Sequence, residues 1–132
     1  MGRRKPDEPL TRLELEIMKA LWEGGPASVQ EVQQRVAEER PLAYTTVQTM
    51  LNILVRKGRA RRTLVDRAYH YRAAISREKA AGNMVRDLVG RMFGGSAEAL
   101  VLNLVETSQL TPETLRRLNE LLSGDNEEDR DA

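Results

Sequence analysis

Apolar residues recur at three-to-four spacing over residues 11–22, where Leu13, Ile17, Ala20 and Leu21 share one face and Glu14, Glu16 and Lys19 lie off it. That spacing predicts a helix, with Thr11 as its N-cap and Gly24-Gly25-Pro26 as its stop. A second helix is predicted from Ser28, whose hydroxyl can cap while Glu31 reaches back in a capping box. Val29, Val32 and Val36 line its inner face, and Pro41 closes the region. A third helix is predicted from Thr45 to Lys57, ending at Gly58.

The period then changes from 3.6 to 2. Residues 60–64 and 68–72 flank a turn at Val65-Asp66-Arg67, which predicts a two-stranded hairpin with Tyr69 and Tyr71 on one face and His70 and Arg72 on the other. Helical spacing resumes after Ser76 through Ala81, Met84, Val85, Leu88, Val89, Met92 and Phe93, until Gly94-Gly95 interrupts it. Leu100, Val101, Leu104 and Val105 form another apolar stripe. Thr111-Pro112 opens a last helix with Leu115, Leu118, Leu121 and Leu122 inward, since proline at the first helical position costs no hydrogen bond. The predicted fold class is mostly α with a small β-hairpin: an N-terminal winged helix-turn-helix over 10–75 and a C-terminal helical dimerisation region over 76–122. A flexible arm (1–9) precedes them and a disordered acidic tail (123–132) follows.

Charge sharpens this division. The chain of 132 residues carries a formal net charge of +1, but residues 1–75 sum to +5 and residues 76–132 to −4. Between residues 44 and 72, Arg56, Lys57, Arg59, Arg61, Arg62, Arg67 and Arg72 are opposed by Asp66 alone. Such a basic segment in a near-neutral chain points to a localised polyanion-binding face. Composition removes other classes. With no cysteine there is no disulfide, thiol nucleophile or thiolate zinc site, and His70 alone cannot form a histidine pair. His70 has no G-x-S-x-G or comparable motif near it, so no enzyme is expected, and neither is a metal or cofactor. No apolar run approaches the roughly 20 residues of a membrane span, and no signal peptide or myristoylation motif opens the chain, so a cytoplasmic protein is expected.

The third helix carries the functional argument. At about 100° per residue, Gln48, Thr49, Asn52 and Arg56 fall within about 60° of Thr45, while Val47, Met50, Leu51 and Leu54 lie opposite. One face is core, and the other is polar without a carboxylate. Thr, Gln, Asn and Arg hydrogen-bond base edges and phosphates, and a carboxylate there would repel the DNA backbone. The candidate DNA contacts are therefore Thr45, Thr46, Gln48, Thr49, Asn52 and Arg56 on the helix. Arg61, Arg62 and Arg67 join them on the wing, with Arg59 and Arg72 beside them. Tyr69 and Tyr71 are expected to close the hairpin onto this helix rather than stack on bases. The basic arm residues Arg3, Arg4 and Lys5 could reach a minor groove.

These residues resemble a known family. Leu10-Thr11 with Glu14, Ile17-Met18 and Trp22, then Val29-x-x-Val32, then Tyr44-Thr45-Thr46-Val47-x-Thr49-Met50-Leu51 with Leu54 and Lys57-Gly58, look like the penicillinase-repressor family of bacterial regulators. The resemblance spans residues 10–122, and the Tyr-Thr-Thr string is its most specific part. It implies a homodimer on an inverted-repeat operator controlling β-lactamase or methicillin-resistance genes, with intertwined C-terminal helices. It also implies a switch, in which a membrane-bound antibiotic sensor triggers proteolysis at an Asn-Phe bond. The matching place is Asn103-Leu104, with Leu where the family has Phe, so a sensor-linked protease is an implied partner. Ile53 stands where many relatives carry arginine, and the lack of cysteine departs from the family's copper-responsive branch.

Dimerisation is also expected on physical grounds. Three short helices in the 47 residues from 76 to 122 are too few for a good independent core. Burying Met84, Leu88, Met92, Leu100, Leu104 and Leu118 against a second copy solves this, and two-fold symmetry matches two DNA half-sites. Two alternatives stand beside a repressor on double-stranded operator DNA. One is a winged-helix regulator binding a small ligand directly, for which five aromatics give little pocket lining. The other is a protein–protein adaptor, against which the acid-free helix and arginine wing argue.

Overall fold

Thr11 and Ser28 each start a helix through a complete capping box: the hydroxyl accepts the N–H three residues on, and the glutamate there accepts the cap residue's N–H. The computed structural model describes residues 8–131, of which 125–131 are described as backbone alone. In chain order the elements are α1 (Arg12–Gly24), β1 (Ala27–Ser28), α2 (Val29–Ala37), α3 (Tyr44–Arg56), β2 (Ala60–Val65), β3 (Ala68–Ala73), α4 (Arg77–Met92), α5 (Ala97–Glu106) and α6 (Pro112–Asp131). The fold is mostly helical with a small antiparallel sheet, and its first six elements are a winged helix-turn-helix. Hydrogen bonds from Ser28, its backbone N–H first, hold the Glu31 carboxyl below the usual carboxylate range. The second box therefore contributes fully above the ordinary carboxylate pKa and is lost as pH falls through the lowered one.

The expected hairpin is one part of a three-stranded sheet ordered β1-β3-β2, with Ala27 opposite Tyr71 and Ser28 opposite His70. A two-residue strand is too short for any period to reveal it. It arises because the residues entering α2 are extended and lie beside β3. The core joins Ile17, Met18, Leu21, Val32, Val47, Leu51, Leu54 and Tyr71, so α1, α2, α3 and the sheet bury one another's apolar faces. Two positions on α1 depart from the simple stripe. Leu13 is half-buried, whereas Glu14 is 1% exposed. Its carboxylate accepts the Thr11 N–H and pairs with Lys57 Nζ at 2.5 Å, which neutralises it in the interior.

The C-terminus of α1 is closed by a side chain from α2. Arg35 Nη1 donates to Ala20 O at 3.2 Å and to Gly25 O at 2.7 Å, lying where a Cβ on Gly24 would meet Arg35 Cζ at 2.4 Å. Gly24→Ala should displace this guanidinium and uncap the helix, lowering stability by about 1 kcal/mol net of alanine's better propensity. Thermal unfolding by circular dichroism tests this. With Arg35→Ala already in place, the same substitution should be neutral or stabilising; an equal loss in both backgrounds would show that Arg35 is not the cause.

Two compact units divide inside α4, between Asp87 and Leu88, rather than before it at Ser76. The start of α4 belongs to the first unit because Ala80 joins its core, and Trp22 Nε1 donates to Ile75 O at 2.9 Å. Ala80 rather than Ala81 is the buried alanine of α4. The second unit contains the end of α4, α5 and α6, and none of its described side chains is buried. Its last helix continues to Asp131, where the sequence predicts a disordered tail from Ser123. The run has no apolar face, but it has no proline either, so nothing in it breaks the hydrogen-bond ladder begun at Pro112. The basic arm residues Arg3, Arg4 and Lys5 lie outside the described residues. Among the described residues, no single helix is long and apolar enough to cross a membrane.

Candidate nucleic-acid interface

The helical arithmetic for α3 holds in three dimensions. Val47, Leu51 and Leu54 are buried, and Met50 packs against them half-buried. Thr45, Gln48, Thr49 and Arg56 are exposed on the opposite side, with Thr46 and Ile53 half-buried at its flanks. The first turn of α3 has no acidic residue, and Arg56 is in the last. The positive end of the helix dipole is thus not screened by a carboxylate of its own turn. Gln33 Nε2 donates to Leu42 O at 3.0 Å and steadies the connection that leads from α2 into α3.

The wing is built by β2 and β3, which pair from Ala60↔Ala73 to Val65↔Ala68 around a two-residue turn. Asp66 and Arg67 there have φ of 49° and 70°. Both signs suit the tight turns that match strand twist, yet neither residue is glycine, so the turn stores backbone strain. Arg61, Arg62, Arg67 and Arg72 are exposed on this hairpin. Among the described residues, neither they nor Arg56 forms an ion pair, although Arg12, Arg35, Arg40, Lys57 and Arg77 do. An acid-free helix face and unneutralised wing guanidiniums therefore sit on adjoining elements.

Three residues behave differently from their sequence reading. Arg59 is 4% exposed and donates to Lys57 O at 3.2 Å and Glu8 O at 2.7 Å, so it ties the chain together behind the wing. Asn52 is half-buried, and its Oδ1 accepts from Tyr71 Oη at 2.8 Å and from Arg62 Nη1 at 2.9 Å. Tyr71 is buried and does close the sheet onto α3, but Tyr69 on the same face is 43% exposed, with the Arg62 guanidinium 4.2 Å from its ring centroid. Strand alternation correctly put the two tyrosines on one face. It carries no information about depth along the strand, and Tyr69 lies toward the tip beside an exposed Leu64.

The expected interface residues of the C-terminal half are not buried within the chain. Leu88 and Leu118 are each 42% exposed and Met92 71%, while Met84, Leu100 and Leu104 are half-buried and Asn103 is exposed. One cavity, of about 300 Å³, is a groove between α1 and α2 with Glu16, Lys19, Glu23, Arg35, Glu38 and Glu39 around it. Those charged walls are remote in character from a pocket for an apolar ligand.

Residues 10–124 match the family model described as penicillinase repressor. The chain belongs to the penicillinase-repressor family. A penicillinase repressor of Bacillus licheniformis is 28% identical over 109 residues, covering 83% of this chain and 85% of its own length. The transcriptional regulator BlaI of Mycobacterium tuberculosis is 36% identical over 102 residues, 74% of each chain. Among solved structures, the monomeric form of B. licheniformis BlaI in complex with the blaP half-operator is similar at 27% identity and a TM-score of 0.46, covering 53% of this chain and 85% of that one. The relatives are named as repressors and regulators, not as enzymes. Within this family frame, the Tyr44–Leu51 string is the start of α3, so the most specific part of the resemblance falls on the acid-free face and the core behind it.

Proposed function

We propose that the chain is a sequence-specific, DNA-binding transcriptional repressor that acts as a homodimer on an inverted-repeat operator. The observation that carries this reading is the acid-free outer face of α3 beside a wing whose arginines form no ion pairs. In this reading Thr45, Thr46, Gln48 and Thr49 meet base edges, and Arg56, Arg61 and Arg67 meet phosphates; the exposure of all but the half-buried Thr46 supports it. The relatives' names, a penicillinase repressor and a transcriptional regulator, support the same reading. Exposed leucines and methionine on α4, α5 and α6 support dimerisation, since a second copy would bury them. Release by a sensor-linked protease at Asn103–Leu104 completes the reading, and the exposure of Asn103 on α5 is compatible with attack there once the helix opens.

Fluorescence anisotropy with DNA upstream of the protein's own gene, against scrambled DNA, tests it. Specific binding by two protomers, falling steeply with salt, is the expected result. Thr49→Ala should reduce specific binding more than non-specific binding, whereas Arg61→Ala should weaken both alike and lower the salt slope by about one. Arg67→Gly should do as Arg61→Ala does, yet raise thermal stability by relieving the positive φ at the wing tip. Equal losses for Thr49→Ala and Arg61→Ala on both DNAs would reject α3 as the reading helix. Absence of binding even at low salt would favour the protein–protein adaptor.

A further inference from the structure

The wing arginines are not equivalent. Arg61 and Arg67 have exposed side chains with no partner among the described residues, but Arg62 is held at two points. Its Nη1 donates to Asn52 Oδ1, and its guanidinium covers the face of Tyr69. Tyr71 Oη, rooted in the core, reaches the same Asn52 oxygen. An arginine has donors and no acceptor, so the carboxamide can turn only its oxygen toward Arg62. Two donors then occupy both lone pairs of that oxygen. The paired recognition of adenine by asparagine needs the amide oxygen to accept from the base while its nitrogen donates. In Asn52 the oxygen is already taken.

Asn52 also joins otherwise separate parts of the molecule. It lies on α3, Arg62 on β2, and Tyr69 and Tyr71 on β3, so one carboxamide gathers the recognition helix and both strands of the wing. We infer that Asn52 and Arg62 are positioning residues: with Tyr69 and Tyr71 they form a clasp that sets the wing against α3, and neither contacts DNA directly. Base reading then falls to Thr45, Gln48 and Thr49, and phosphate contact on the wing to Arg61 and Arg67. This inference rests on the DNA-binding reading and narrows which residues perform it.

The test uses the full chain in two experiments. In the first, without DNA, hydrogen exchange of the β2 and β3 amides is compared between the wild type, Asn52→Ala and Tyr71→Phe, which keeps the ring in the core. Tyr71→Phe, which loses one part-buried hydrogen bond, should exchange about three- to tenfold faster through the wing, and Asn52→Ala, which loses that bond and the one from Arg62, at least as fast. Unchanged exchange would overturn the clasp whatever happens on DNA.

In the second, anisotropy is measured on the inverted-repeat duplex from upstream of the gene and on its single-base-pair variants. Asn52→Ala and Tyr71→Phe should weaken every duplex by a common factor of about three to ten, with base preferences intact at each position. Arg62→Ala should leave the salt slope unchanged, whereas Arg61→Ala lowers it by about one. Loss of preference at a single base pair in Asn52→Ala alone, or a lower slope for Arg62→Ala, would make these residues DNA contacts and overturn the inference. A wild type that does not distinguish the operator from scrambled DNA would reject the DNA-binding reading instead, with the exchange result still deciding the clasp.

Discussion

Leu88→Asp is expected to leave the winged helix folded, yield monomers in sedimentation velocity, and weaken operator binding by roughly 100- to 10,000-fold. Leu88 is 42% exposed and lies outside the core of the first unit, so the substitution removes no contact on which the winged helix depends. In a dimer that covers the exposed apolar residues of α4, α5 and α6, it would instead place a carboxylate in an apolar interface. The affinity loss follows from linkage. When two winged helices are joined, binding at one half-site raises the effective concentration at the other, and a monomer forfeits that gain. Leu104→Asp should behave in the same way. Persistent dimers in both variants would place the interface elsewhere, and monomers that still bind the full operator at the original affinity would separate dimerisation from function.

Lys57→Ala carries the largest expected effect on stability. Its ammonium is nearly buried, and it meets a Glu14 carboxylate that is almost completely so, between the end of α3 and the start of α1. Removing the cation leaves a buried charge with only the Thr11 N–H to satisfy it. A loss of about 3–5 kcal/mol is expected, a large part of the roughly 5–15 kcal/mol that holds a typical domain together. Urea unfolding measures it. The pair itself is not expected to be worth so much. Glu14→Gln with Lys57→Met keeps an acceptor for Thr11 and replaces the stem of the lysine, so the double variant should recover most of the loss. A double variant as unstable as Lys57→Ala would show that the pair, rather than an orphaned charge, supplies the stability.

Such a pair also shows what a linear reading misses. Glu14 looks like a solvent-facing residue one step off an apolar stripe, because its partner is 43 residues away. Arg59 looks like one more wing cation, yet it is buried and bonded to Glu8. In both cases the residue type is correct and its address is not. Residue chemistry is local, whereas burial depends on which distant segment arrives to cover it.

The features determined by the sequence alone are those whose partners lie within a few residues. The capping boxes at Thr11 and Ser28 span three positions, the stop at Gly24-Gly25 needs one glycine with positive φ, and the core face of α3 follows from helical period. Those suffice for the helices, the wing, the family and the acid-free face. Tertiary structure decided the rest: the third strand at Ala27–Ser28, the buried pair of Glu14 with Lys57, and the turning of the Asn52 oxygen toward Arg62 and Tyr71. Each depends on groups brought together by packing of the whole core. A period along the chain fixes which way a side chain points from its own helix or strand, but not what it finds there.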